Sequence, residues 1–397
     1  MKTTDIVIVG AGIVGLAIAR ELKARDSGQK ILILEKEPEL GRHSSGRNSG
    51  VLHSGIYYPE NSIKARVCAE GAKEMAEFCR ARSLPIERLG KVVVPVREED
   101  DGLLDVLFRR GQANGATVEM IDAKTLAEIE PDARSASGRA LYSPNTSVVE
   151  PKAILKALAD ELGKQGVEIR LGEEVRHIDP EGILTTNTGQ IGFGHLYNTA
   201  GLFADKIARY FGMGEKYTIL PFKGIYYLLD ENSGLRVNGL IYPVPDMSVP
   251  FLGVHVTKAV SGKIYLGPTA VPAFGRENYT GFEGANLSDA AGIGVQLFRQ
   301  YASNRMGFRK FAHEEGLRFF KRNFAEAAGA LMPGLRPGHL LKCSKVGMRA
   351  QLLDREKGEL VMDFVVEKGK NSTHILNAVS PGFTSAFSFS RFALDHA

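Results

Sequence analysis

Cysteine, net charge and long apolar runs are all scarce in this chain of 397 residues. Its three cysteines, Cys68, Cys79 and Cys343, share no metal-ligand spacing and are too few for a disulfide framework. That excludes a zinc module and a disulfide-stapled secreted scaffold, and points to a reducing compartment. The formal net charge is only +4, with Lys and Arg scattered rather than massed, so a nucleic-acid partner is a poor fit and a small acidic ligand a better one. The apolar, glycine-rich stretch at residues 6–19 is too short to span a bilayer, and no basic leader or cleavage site precedes it. A cytoplasmic chain without a targeting or transmembrane segment is therefore expected. Internal repeats are missing too, and two intimately joined domains are the default at this length. With 44% hydrophobic and 24% charged residues, the chain is expected to fold almost end to end.

What is present begins at the N-terminus. Asp5 to Val9 reads as a buried strand running into Gly10-Ala-Gly12-Ile13-Val14-Gly15 and then into the helical pattern LAIARELKAR. In that order, Gly10 permits a tight turn, Gly12 lets a pyrophosphate approach the backbone, and Gly15 lets helix and strand pack closely, with the phosphate on the positive helix end. A second apolar strand, 30–34, ends at Glu35, twenty residues past Gly15, where a carboxylate accepts ribose hydroxyls and repels a 2'-phosphate; Lys36 follows it.

The glycine motif alone leaves FAD and NAD both open. The next stretch, Gly41 to Gly50 (GRHSSGRNSG), is dense in small hydroxyl and amide side chains that would be costly to bury empty, and FAD enzymes of this class carry an extended loop here. Ser44, Ser45, Asn48, Ser49 and Gly50 are the expected donors. Residues 151–179 read as a helix and two strands returning to the nucleotide sheet, with Val175 facing the adenine. His195 to Asp205 is another strand ending at Ala200-Gly201 and opening a helix, a second approach to the cofactor. Asn377 to Thr384, including Ser380, Pro381, Gly382 and Phe383, is expected to start a C-terminal helix whose free N–H groups meet the flavin. The fold class is thus α/β: a Rossmann-like FAD domain from 1–85, 145–215 and 336–397, and a mixed, largely antiparallel sheet domain from 86–144 and 216–335. Residues 216–280 supply β-rich runs and 283–332 look helical.

Several longer pieces carry a resemblance: Ser45 to Tyr58 (SGRNSGVLHSGIYY) with Lys64-Ala-Arg66, Pro221 to Tyr227 (PFKGIYY), Leu240 to Thr257 (LIYPVPDMSVPFLGVHVT), Gly267-Pro268, Gly347 to Gln351 (GMRAQ) and Asn377 to Gly382. Over nearly its whole length the sequence resembles the L-2-hydroxyglutarate dehydrogenase and oxidase family, within the D-amino-acid oxidase and glycerol-3-phosphate dehydrogenase fold group. The resemblance implies bound FAD, oxidation of L-2-hydroxyglutarate to 2-oxoglutarate by hydride transfer to flavin N5, and quinone or oxygen as electron acceptor. The rival in the same chemistry is a glycine- or sarcosine-type amino-acid oxidase. A rival of another class is a cofactor-binding subunit without substrate chemistry. Two departures stand out: Arg47 where the family commonly has His, which argues against a catalytic histidine there, and Lys223 where it commonly has Arg, which exchanges a planar fork for a point charge.

Oxidising a secondary alcohol needs a base for the hydroxyl proton and cations for the carboxylates. His53, just after the flavin loop, and His255, in the roofing sheet, are the candidate bases, with adjacency favouring His53. Arg349 lies where related flavin oxidases grip a substrate carboxylate, a bidentate task suited to guanidinium. Lys223 and Arg47 are candidates for a second carboxylate, and Tyr58, Tyr242 and Tyr265 for hydrogen bonds. Leu317, Phe320, Phe324 and Leu331 read as the core stripe of one helix. Phe319 lies off that stripe among Arg318, Lys321 and Arg322, and hints at peripheral contact with the inner face of a membrane.

Overall fold

The computed structural model describes residues 2–396 apart from Ser248, Phe282 and Asn286, and only the backbone of Ser288; Ser248 falls inside the 240–257 motif and Asn286 inside the helical 283–332 region, so those two positions lie outside the described residues. Strand β1 (Lys2–Val9) carries a buried apolar run, with Val7 and Ile8 fully inaccessible, as a strand covered on both faces requires. It pairs in parallel with β2 (Ile31–Glu35) on one side and with the strand Gln190–Asn198 on the other. Strand Glu168–Leu171 extends the sheet beyond β2, while Ser372–Asn377 runs parallel to the end of Gln190–Asn198. Val9 lies level with Leu34 and with Asn198, so the carboxyl ends of these parallel strands open on one edge, where open α/β sheets bind ligands.

Helix α1 (Ile13–Arg25) lays Leu16, Ala17, Ile18 and Ala19 on this sheet, the small residues allowing close approach. Beside it pack helices Ile63–Ala81, Pro151–Lys164 and Ala386–His396, which share one apolar core. The last of these is pinned by Arg391 to Glu74 and by Arg20 over the Phe387 ring at 4.5 Å.

The second sheet has ten strands, centred on Tyr217–Leu229, and is joined by Ile264–Gly267, His255–Lys258, Leu240–Pro243, Lys91–Val94 and Arg139–Ser143 in that spatial order. It is antiparallel except where Leu240–Pro243 runs parallel to Lys91–Val94. Strand Leu340–Asp354 pairs with Tyr217–Leu229 along nearly its whole length. The chain therefore stays in this sheet well past residue 336, the expected boundary, and re-enters the nucleotide sheet only at Val365–Lys368. A three-stranded sheet of Val51–Leu52, Ser147–Val149 and Ile86–Arg88 packs Leu52 and Val149 into the core shared with α1, and Val51 and Val148 into a core shared with the second sheet. Buried Asp205 ties the halves together: its carboxylate takes both guanidinium nitrogens of Arg276 and the N–H of Ile219.

Two expectations are corrected here. The region 317–331 is two helices, Phe308–Arg318 and Lys321–Gly329, because Phe320 adopts an extended conformation between them. Phe324 and Leu331 are core residues, but Leu317 and Phe320 are 54% and 62% exposed; Phe308 and Phe311 face the core instead. The C-terminal helix begins at Ala386, so 378–385 is a tight turn in front of it.

Candidate active site

The glycine turn is fixed by close backbone contacts. Gly10 has φ +103°, and a Cβ there would stand 2.7 Å from the Thr199 carbonyl oxygen; at Gly15 a Cβ would stand 2.2 Å from that of Gly10. Gly12 differs, since a Cβ would meet only Ser45 Oγ at 3.0 Å, and its other side opens on a cleft that Ile13 and Val14 also line. No side chain of Gly12 caps α1, and of the first N–H groups that of Ile13 donates to Ser45 Oγ at 3.0 Å. This is an anion-accepting helix end. At the tip of β2, Glu35 accepts from the N–H of Ala11 and of Glu37, both at 3.0 Å, so it braces the glycine turn. A carboxylate has lone pairs left for two further donors.

The same cleft gathers pieces remote in sequence. Ser44, Ser45, Asn48 and Ser49 line it from one loop, Gly201 from another, and Ser380, Pro381, Gly382, Phe383 and Thr384 from the C-terminal turn. Ser44 donates to the Met348 carbonyl at 2.8 Å, Asn48 to that of Ser45 at 2.8 Å, and Thr384 to that of Val51 while receiving the N–H of His53, both at 3.2 Å. Gly50 turns the loop at φ +76°. Eight expected cofactor residues are outside the cleft lining: Gly10, Gly15, Glu35 and Gly50, which build the turns just described, and four more. Lys36 ion-pairs with Glu37 and Glu277, Asp205 is committed to Arg276, and Val175 and Ala200 pack into the apolar cluster under the sheet.

From the opposite wall come His53, His255 and Arg349, with Phe222, Tyr226 and Phe251. Arg349 donates to the Pro250 carbonyl at 2.5 Å and lies 4.8 Å over the Phe251 ring. Burial lowers its pKa, and Glu315, the carboxylate among the described residues whose charge reaches it, is already paired with Arg318. A guanidinium taken partly out of water without its own carboxylate is costly, and that cost falls when an anion arrives.

His255 Nδ1 lies 2.9 Å from the Gly253 carbonyl oxygen. Since a carbonyl only accepts, the hydrogen is assigned to Nδ1, which leaves Nε2 with the lone pair of the neutral ring. Burial, with the charges of Arg349 and Lys91, holds this imidazole near pKa 4. Burial, then Lys91, His255 and Arg349, pushes His53 lower still, to about 3, yet its buried Nδ1 has no hydrogen-bond partner among the described residues. Thus His255 has an orienting bond that His53 lacks.

Tyr242 stacks on His255 with ring centroids 4.0 Å apart, and Tyr58 bonds Ser380; burial raises the pKa of both phenols. Lys223 points away: Phe222 faces the cleft, strand alternation turns its neighbour to the other side, and Lys223 donates to Asn278 at 3.0 Å. Arg47 does line the cleft, 4.3 Å over the Tyr279 ring. Two positions went unnoticed in the sequence. Phe222 is hidden in a run of strand residues, whereas Lys91, heading the apolar strand KVVV, is a lysine where a buried strand should have none.

The family description "FAD dependent oxidoreductase" (DAO) matches residues 5–394. The chain belongs to this family. L-2-hydroxyglutarate dehydrogenase of Indibacter alkaliphilus is 37% identical to it, over 97% of this chain and 96% of the relative. The mitochondrial L-2-hydroxyglutarate dehydrogenase of Homo sapiens is 34% identical over 98% of this chain and 88% of the relative. Among solved structures, an L-alpha-glycerophosphate oxidase from Mycoplasma pneumoniae with FAD bound has a TM-score of 0.76 at 22% identity, covering 99% of this chain and 94% of that one. A glycine oxidase from Geobacillus kaustophilus has 0.70 at 16%, covering 100% and 94%. As a member of the family the chain binds FAD, and its residues fit that cofactor: the open side of Gly12, the N-terminal end of α1 at the cleft and the carboxylate of Glu35 suit a dinucleotide, and the polar 44–49 loop and 380–384 turn continue the same cleft.

Proposed function

We propose that this chain oxidises L-2-hydroxyglutarate to 2-oxoglutarate. The observation that carries the reading is Arg349, a half-buried cation lining the cleft with no carboxylate partner among the described residues, beside a neutral imidazole of fixed tautomer. Relatives that bear the name L-2-hydroxyglutarate dehydrogenase over almost the full chain support the substrate; the glycine oxidase shares the fold alone. FAD bound in the cleft supplies a two-electron hydride acceptor. The chain's residues do the rest. Arg349 grips the carboxylate next to the carbinol, and His255 Nε2 takes the hydroxyl proton while Nδ1–H holds the ring on Gly253. Phe222 and Phe251 exclude water, and Tyr58 braces the 380–384 turn.

The electron acceptor we assign is quinone, reached from a peripheral position on the inner face of a membrane. Phe298, Phe319 and Phe320 support this, being 71%, 61% and 62% exposed, with Lys321 next to the latter pair. Among the described residues no helix is long and apolar enough to cross a membrane. Three free cysteines support the cytoplasm as compartment.

Anaerobic addition of L-2-hydroxyglutarate to the yellow protein tests the reaction. Bleaching by it, and not by glycine or sarcosine, is expected; bleaching by the amino acids alone would replace this reading with the oxidase one. Turnover with a quinone analogue should exceed that with oxygen, and Phe319→Ser with Phe320→Ser should release the protein from anionic vesicles.

A further inference from the structure

Arg349 is one cation, and a dicarboxylate brings two negative charges. Of the two expected second cations, Lys223 is turned away to Asn278 and Arg47, which lines the cleft, is held over the Tyr279 ring. A buried lysine that the chemistry above does not use lies on the same side of the sheet as His255. Lys91 is 1% exposed, and its Nζ has no hydrogen-bond partner among the described residues. It sits 4.6 Å from the ring centroid of Tyr57 and 5.3 Å from that of Tyr242, the ring that stacks on His255. Across the sheet Lys91 stands opposite Leu240, and Leu240 opposite Thr257, so Lys91 and Thr257 share a face. Among the described residues the Tyr57 hydroxyl oxygen and His53 Nδ1 are likewise buried without protein partners, while the Tyr242 hydroxyl bonds Thr257.

We propose that Lys91 is a charge-compensating residue of the substrate site, a buried amine one aromatic ring behind His255 that takes up one proton when a dicarboxylate occupies the cleft. The proton comes from the buffer acid, an N–H bond forms on Nζ, and no electron moves. An ammonium with only two aromatic faces for company is poorly solvated, so the free protein favours the amine. A nearby dianion reverses that preference. Burial accordingly brings Lys91 down to about 7. Among the described residues the ionisable groups around it are Tyr57, Tyr242, Cys68 on helix Ile63–Ala81, His53 and His255, and none of these is a carboxylate. The two imidazoles titrate near 3 and 4, well below the Lys91 window, while Lys64 at about 8 overlaps it and needs its own control.

The proposal rests on the dicarboxylate reading of the site, and calorimetry separates the two. FAD-loaded protein is titrated with 2-oxoglutarate in buffers of different ionisation enthalpy. We expect uptake approaching one proton at pH 8 and little at pH 6, where Lys91 is already charged. By linkage, the Kd should rise by about tenfold per pH unit above pH 7. Lys91→Met, or Lys91→Gln if the first does not fold, should abolish the uptake and flatten the Kd. Binding without proton uptake in the wild type between pH 7 and 9 overturns the proposal and leaves the substrate reading standing. Uptake that survives in Lys91→Met and disappears in Lys64→Met also overturns it. Failure of 2-oxoglutarate to bind at all removes both.

Discussion

On the nucleotide side of the cleft, the atoms facing a ligand are backbone N–H groups and short hydroxyls, each positioned by near neighbours: Gly12 and Ile13 by the turn, Ser45 by Ile13, Asn48 by Ser45 and Gly50. On the opposite wall they are long side chains brought from distant strands, with His53 Nδ1 unmatched at the wall and Lys91 Nζ unmatched behind it among the described residues. The contrast separates two ways of making a site. A backbone cradle is satisfied before its ligand arrives and tolerates little change in shape. A wall of buried, underpartnered side chains holds unfavourable electrostatics that an anionic ligand relieves, and it tolerates changes of shape better than changes of charge.

The sharpest way to break this comparison is at Gly15. A Val there meets backbone, so the turn must open at a cost of about 3 kcal/mol, and the purified protein should lack FAD absorbance and melt earlier. Full FAD occupancy with an unchanged melting curve would mean that the turn is softer than its geometry implies. Next in size is the base. Anaerobic reduction by L-2-hydroxyglutarate should slow by about 10²- to 10⁴-fold in His255→Ala. His53→Ala should slow it far less, and the reverse order would return the role to His53. Arg349→Ala should raise KM and slow reduction together, by about 10- to 100-fold for a lost charged hydrogen bond. Arg349→Lys should recover affinity only in part, because it restores charge without the fork.

The smallest effect is on acid stability. His53, His255 and His374 are held neutral by burial, near 3, 4 and 4, against an ordinary imidazole value of 6.5. Their contribution is complete above pH 6.5. As the pH falls below that, the unfolded chain binds protons that the folded one refuses, so stability is lost down to about pH 4. Each group contributes at most about 1.4 kcal/mol per pH unit. His374 is partnered on both nitrogens, by Asn198 and Ser372, so His374→Gln should flatten the slope of melting temperature against pH while lowering it throughout. An unchanged slope would remove His374 from this account.

The same contrast explains what could be read without coordinates. The glycine turn and Glu35 are legible because their requirements are local and dictated by φ and close approach. The choice between His53 and His255 is not, because it turns on whether a carbonyl two residues away, Gly253, faces the ring. Adjacency in sequence favoured His53, while geometry favours His255. Asp205 followed the strand-to-helix pattern of a cofactor residue, yet a long-range partner, Arg276, claims it. Lys223 failed through strand parity, and the 317–331 stripe through a break at Phe320 that no Gly or Pro announces.

The interleaving of the halves has a consequence for how the protein is made. β1 and α1 are made long before the 380–384 turn that closes the cleft in front of them and before helix Ala386–His396, which covers α1. Until those residues emerge the glycine turn waits without its closing wall, and a nascent chain stopped before residue 372 lacks one side of the cleft that receives the cofactor.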